Sequence, residues 1–148
     1  MFSNAKFALI FSRGTLTLQK IKQMSNQIKI IVKPGKEAAV KRFHPWIFSG
    51  AIERMEGSPR EGDVVEVFSS RKDFLALGHY LPGSIAVKIF SFEQAVVDDK
   101  FWKSKLKSAF QSRVRLGITG KSSVANAYRL VFSEGDLLPR VIIDNYNG

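Results

Sequence analysis

The chain contains no cysteine, which removes disulfides, thiolate-held zinc and thiol nucleophiles at once. Histidine is nearly as scarce: His44 and His79 stand 35 residues apart, in no metal-ligand spacing. Long apolar runs are missing too. Residues 7–11 (FALIF) make a run of five, where a membrane-spanning helix needs about 20. The sequence has no glycine-rich phosphate loop, no G-x-S-x-G turn and no H-E-x-x-H helix. It also lacks the strand, glycine-rich turn, helix and downstream acid that hold an adenosyl or dinucleotide cofactor. Negative charge is the last scarcity. Thirteen acids face 23 lysines and arginines, for a formal net charge of +10. Such an excess attracts polyanions by releasing counterions from phosphates, without choosing between RNA, DNA and an anionic membrane.

What is present is an ordinary globular composition, 45% hydrophobic and 24% charged over 148 residues, enough for one domain or two small ones. The charge is unevenly placed: residues 1–26 carry +4, residues 27–97 only +2, and residues 98–148 another +4. The acid-free stretch 1–26 reads as an extension outside the fold. It is either an organellar transit peptide or upstream sequence before a true start at Met24.

From Ile28 the pattern sharpens. Ile28, Ile30 and Val32 alternate with Lys29, Ile31 and Lys33, as in a strand with one buried face. Pro34-Gly35 ends it, and residues 36–43 suit a short helix, broken by His44-Pro45-Trp46. A weak strand follows at 51–55 and a turn at 57–62. A valine strand comes next (Val64, Val65, Val67), then a polar turn at 69–72, a strand at 74–80, a turn at Pro82-Gly83 and a last strand at 85–92. Short strands at this spacing read as a small barrel or sandwich.

At Asp98 the period changes to 3.6. Trp102, Leu106, Ala109, Phe110 and Val114 form one helical stripe, with Asp98 or Asp99 as its cap and Gly117 as its stop. Lys100, Lys103 and Lys107 share another face. Residues 128–132 and 141–143 read as two strands around a turn at 133–139. The hairpin's outer strand lacks a partner in the sequence that follows, so residues 98–148 are expected to be the incomplete start of a further domain.

Two segments carry candidate chemistry. In the first, Lys33-Pro34-Gly35-Lys36, a glycine between strand and helix permits a close backbone approach. The amides that open the helix suit a phosphate, and two lysines add charge. The alternative is a simple strand-to-helix turn. The second, Lys41-Arg42-Phe43-His44-Pro45-Trp46, interleaves cations with aromatics, which can bind phosphates while stacking bases. Here the alternative makes Phe43 and Trp46 core anchors and His44 a structural hydrogen-bonder. The expected RNA-binding set is therefore Lys33, Gly35, Lys36, Lys41, Arg42, His44 and Trp46, with Lys72 outside it. Glu134-Gly135-Asp136 reads as turn formers, with the glycine at positive φ.

Taken together these strings resemble the opening of the PUA-containing ribosomal RNA cytosine-5 methyltransferases. The resemblance is carried by Lys33-Pro34-Gly35-Lys36-Glu37, the run from Arg42 to Ile52 (RFHPWIFSGAI) and Gly62-Asp63-Val64-Val65-Glu66-Val67. Gly78-His79-Tyr80, Tyr128-Arg129-Leu130-Val131, Leu138-Pro139 and Asp144-Asn145-Tyr146 continue it in order. The family implies a PUA RNA-binding barrel, a middle domain rich in β-hairpins, and a Rossmann-like domain using S-adenosylmethionine. By that resemblance the fold class here is mixed α/β: a small PUA-like β-barrel over 27–97, followed by the start of an α+β hairpin domain, with the methyltransferase domain absent. No cofactor is expected in this chain, because the family's cofactor glycines and catalytic cysteines would lie beyond Gly148. Two departures stand out: Lys88 where the family usually has arginine, and Arg140 where it commonly has glycine.

The expected function is RNA binding, with ribosomal RNA the implied partner and no membrane association. The resemblance also implies a cytoplasmic setting and a homodimer in the full-length protein. A stand-alone PUA-like RNA-binding protein and an SH3-like interaction barrel remain as alternatives.

Overall fold

The computed structural model describes residues 28–119 and 127–146, so the readings of residues 1–26 and of the loop 120–126 lie outside it. Six strands form one sheet: β1 (Ile28–Val32), β2 (Trp46–Phe48), β3 (Ile52–Glu56), β4 (Val64–Phe68), β5 (Phe74–Tyr80) and β6 (Ile85–Ser91). Their order is β2-β6-β5-β4-β1-β3. Only the β1–β4 pairing is parallel. A parallel neighbour needs a long crossover, and residues 33–63 supply it. The crossover contains α1 (Glu37–Lys41), β2, a 3-10 turn (Ser49–Ala51) and β3.

The sheet curls into a half-barrel around Ile30, Val32, Val65, Val67, Ala76, Val87 and Ile89, all fully buried. The β-branched residues of β4 and β6 alternate inward, as a pleated strand with one core face requires. β1 departs from the expected alternation. Ile31 is buried beside Ile30 and Val32, so this central strand is covered on both faces. The sequence reading also passed over β2, whose three residues follow a proline; Ile47 is buried, and the strand pairs with β6.

α1 is shorter than the expected helix over 36–43. Lys36 is its N-cap and Arg42 its C-cap, and Phe43 takes a left-handed φ of 62°. The Phe43 amide donates to Val40 O at 2.9 Å and the His44 amide to Ala39 O at 3.1 Å. These two bonds are a Schellman termination, with phenylalanine at the position where glycine is usual.

After the sheet, α2 (Asp99–Arg115) starts where Asp98 accepts the Phe101 amide at 2.8 Å. It docks on the outer face of the half-barrel through rings. Trp102 lies 5.0 Å from Phe90 and stacks on His79 at 5.8 Å, with 11° between the planes. The His79 ring is fixed in turn by Nδ1, 2.9 Å from Gly62 O. A hairpin of β7 (Ala127–Phe132) and β8 (Ile142–Tyr146) packs Val131, Leu138 and Ile143 against Ala109 and Trp102 of the helix. The rest of the expected stripe is not buried: Leu106, Phe110 and Val114 are each about two-fifths exposed.

Candidate nucleic-acid interface

The expected site begins at the end of β1. Gly35 sits at φ +81°, and a Cβ built there would meet no atom within 4 Å. The positive φ of this glycine serves the turn, and the space beside it is open. α1 has five residues, and the Lys36 amide is already bonded to Lys33 O at 3.0 Å. One amide of the expected phosphate cradle is thus taken up within the turn. Lys33 is exposed, and its Nζ donates to Gly50 O at 2.9 Å, which ties β1 to the Ser49–Ala51 turn and leaves two N–H donors facing outward.

Lys36, Lys41 and Arg42 are exposed, and none joins an ion pair among the described residues. At about 100° per residue, Lys36 and Lys41 point roughly 140° apart around α1, so they present charge on two sides of it. Lys41 borders a cleft of about 280 Å³, whose other walls are Val40, Phe43, Asp73, Phe74, Leu75 and Phe92. Phe43 is no core anchor: 71% of it is exposed, and it meets Phe92 edge-on at 5.1 Å. Asp73 ends the turn that holds Lys72, so the structure draws that turn, taken from sequence as remote, to the same cleft as Lys41.

His44 and Trp46 lie next to one another. His44 Nδ1 is 3.1 Å from Trp46 O and 3.3 Å from Trp46 N. It donates to the carbonyl in one tautomer and accepts the amide in the other, so this ring nitrogen has a local structural partner either way. Trp46 is half-buried and faces the hairpin, where its indole N–H donates to Glu134 Oε1 at 3.3 Å. Lys88, opposite Trp46 on β6, donates to the same oxygen at 2.6 Å.

Glu134 and Asp136 are thus more than turn formers. Burial alone would raise the Glu134 carboxyl, but hydrogen bonds from Lys88, the Ser133 hydroxyl, its own amide and the Trp46 indole outweigh it and hold the pKa at about 2. Burial likewise opposes ionisation of Asp136, yet Arg113 and the Phe132 amide lower its pKa. Positive φ falls on Ser133, Leu137 and Arg140 rather than on Gly135. Single-sequence reasoning missed these acids because their partners lie 46 and 23 positions away.

Residues 30–92, which hold most of this half-barrel, match a known family model described as a PUA-like domain. Residues 30–92 belong to the PUA-like domains. That sets aside the SH3-like alternative. The chain containing this PUA-like domain is similar to proteins named ribosomal RNA large subunit methyltransferase I. It is 36% identical to the one from Alteromonas mediterranea over 121 residues, covering 80% of this chain and 30% of the relative. It is 40% identical to the one from Pseudoalteromonas atlantica over 124 residues, with the same coverage. The chain thus spans about 30% of the length of these relatives. Among solved structures, a proposed SAM-dependent methyltransferase from Streptococcus mutans superposes with a TM-score of 0.66 at 20% identity. That match covers 82% of this chain and 31% of that one, and it speaks for the fold alone.

Beyond the PUA-like domain, no helix among the described residues is long and apolar enough to cross a membrane. Nor do they contain a strand, glycine-rich turn and long helix that would seat an adenosyl cofactor.

Proposed function

We propose that this chain is the RNA-recognition portion of a ribosomal RNA cytosine-5 methyltransferase, with residues 27–97 gripping RNA and residues 98–148 opening the middle domain. The observation that carries this reading is the α1 segment. Lys36, Lys41 and Arg42 stand exposed, outside any ion pair among the described residues, and are followed by an exposed aromatic ring at Phe43. Cations beside an open π face are the pairing that RNA phosphates and unstacked bases use. The names of the relatives support the choice of ribosomal RNA.

Methyl transfer belongs to the full-length relatives in this reading. S-adenosylmethionine would supply the methyl group there, and methylation of a pyrimidine at C5 calls for a thiolate that adds to C6 and makes C5 nucleophilic, a group this cysteine-free chain cannot provide. A cytoplasmic setting and a homodimer are part of the same family reading.

The test is binding of large-subunit ribosomal RNA segments by the 148-residue chain across a salt series. Log affinity should fall linearly with log salt, by about 0.7 to 0.9 per phosphate neutralised. Association at low salt no stronger than that of a neutral protein of equal size overturns the reading.

A further inference from the structure

The geometry points to a nucleobase subsite: we infer that the cleft between Phe43 and Asp73 receives one unstacked, amino-bearing base of a single RNA strand. This deepens the RNA-binding reading and rests on it. The cleft, of about 280 Å³, is walled by three rings, Phe43, Phe74 and Phe92, and carries one cation and one carboxylate, Lys41 and Asp73.

Phe43 is the unusual wall. A bulky residue at φ 62° costs about 1 to 2 kcal/mol relative to the right-handed region. Such strain is ordinarily avoided by glycine at this point of a Schellman turn. Here the strained conformation projects a ring that is 71% exposed, so burial does not offset the cost. The ring is steadied from one side only, edge-on to Phe92, leaving π surface open to a base.

Charge around the cleft suits a nucleic acid strand. Lys41 and Arg42 stand on the helix side, and Arg71 and Lys72 are exposed on the turn that ends at Asp73. The backbone of a strand passing over the cleft would meet cations from both segments. Asp73 is exposed and would repel that backbone, so a base that brings a hydrogen-bond donor to the wall is favoured over one that brings only acceptors. One carboxylate oxygen accepts the Ser69 hydroxyl at 3.0 Å, and the other has no hydrogen bond among the described residues. An exocyclic amine of cytosine, adenine or guanine would donate to that exposed oxygen in place of water. Uracil offers only an imino N–H flanked by two carbonyls that the carboxylate repels.

The experiment compares binding of oligocytidine, oligouridine and an abasic ribose-phosphate oligomer by the 148-residue chain and its variants. Phe43→Gly is the decisive variant, because glycine suits φ 62° and the turn survives while the ring is lost. Its affinity for oligocytidine should fall about tenfold, in line with the loss of one stacked base, with abasic binding unchanged. Phe43→Trp should retain the affinity. Asp73→Asn should narrow the preference for cytidine over uridine. A folded Phe43→Gly that binds oligocytidine as wild type does, or a Phe43→Trp that loses binding, overturns the subsite. A wild type that prefers neither base overturns the role of Asp73. If the wild type binds oligocytidine and the abasic oligomer equally, the subsite fails while RNA binding stands. If it binds none of the three, both fail.

Discussion

Lys88 Nζ donates to Glu134 Oε1 at 2.6 Å, joining β6 of the half-barrel to the turn of the β7–β8 hairpin. The same oxygen takes the Trp46 indole N–H from β2, so one carboxylate gathers two strands of the sheet and the hairpin behind them. The lysine keeps the charge of the arginine usual in the resembling family. It reaches the acid as a single point contact, where a guanidinium would offer a fork.

Stability should therefore depend on acid pH. The Glu134 pKa is held at about 2 in the folded chain against a usual 4.5, so its contribution is complete above about pH 4.5 and lost as pH falls through about 2. Glu134→Gln should cost about 1 to 2 kcal/mol near neutrality, a figure discounted for the partial exposure of the pair. Urea midpoints of wild type and variant should converge between pH 4.5 and 2. A gap that stays constant across that range contradicts the assignment.

Arg140 occupies φ 69°, at the place where the resembling family commonly has glycine. The left-handed conformation costs about 1 to 2 kcal/mol, partly recovered because an arginine loses less chain entropy on folding than a glycine does. Its ion pair with Glu61, at 3.2 Å, leaves both side chains more than half exposed and adds little. Arg140→Gly should raise stability by up to about 1 kcal/mol, seen as a melting point higher by roughly 2 to 4 °C. A lower melting point would show that the arginine stabilises this turn.

Gly78 is required by contact rather than by φ. A Cβ there would lie 2.4 Å from Val87 Cγ1 and 2.8 Å from Lys88 O, where β5 crosses β6. Gly78→Ala should destabilise by about 1 to 3 kcal/mol through overpacking. Because Lys88 would be displaced with its backbone, the part of the loss carried by the Lys88–Glu134 pair should vanish when the substitution is made in a Glu134→Gln background, while the clash with Val87 remains. Full additivity of the two changes would separate Gly78 from the Lys88–Glu134 pair.

For RNA, Lys36→Ala and Arg42→Ala should each weaken binding similarly for all sequences and lower the salt slope by about one. Lys103→Ala, on the exposed face of α2, is the control. Lys72 is a poor control, since its turn ends at the Asp73 wall of the cleft. Equal losses from Lys103→Ala and Arg42→Ala would mean that attraction is diffuse, not local.

Much of the fold was legible because it is written in short-range patterns. Alternating β-branched residues marked β4 and β6, the 3.6 period marked α2, and Asp98 marked its cap, as local conformational preference and one-sided burial require. The basic and aromatic run at 41–46 stood out for the same reason, since composition along a segment needs no partner to be seen. Other features exist only once distant segments meet. Phe43 and Trp46 looked equivalent in sequence, yet α1 ends in a Schellman turn that throws Phe43 into solvent, while pairing of β2 with β6 presents Trp46 to Glu134. Lys41 and Asp73 share a cleft because α1 packs on β5, a contact that no periodicity encodes. Local sequence determines which residues prefer a strand, helix or turn. Which side chains then face one another is decided by packing, because closing loops of 30 to 90 residues is offset only when a whole buried face forms at once.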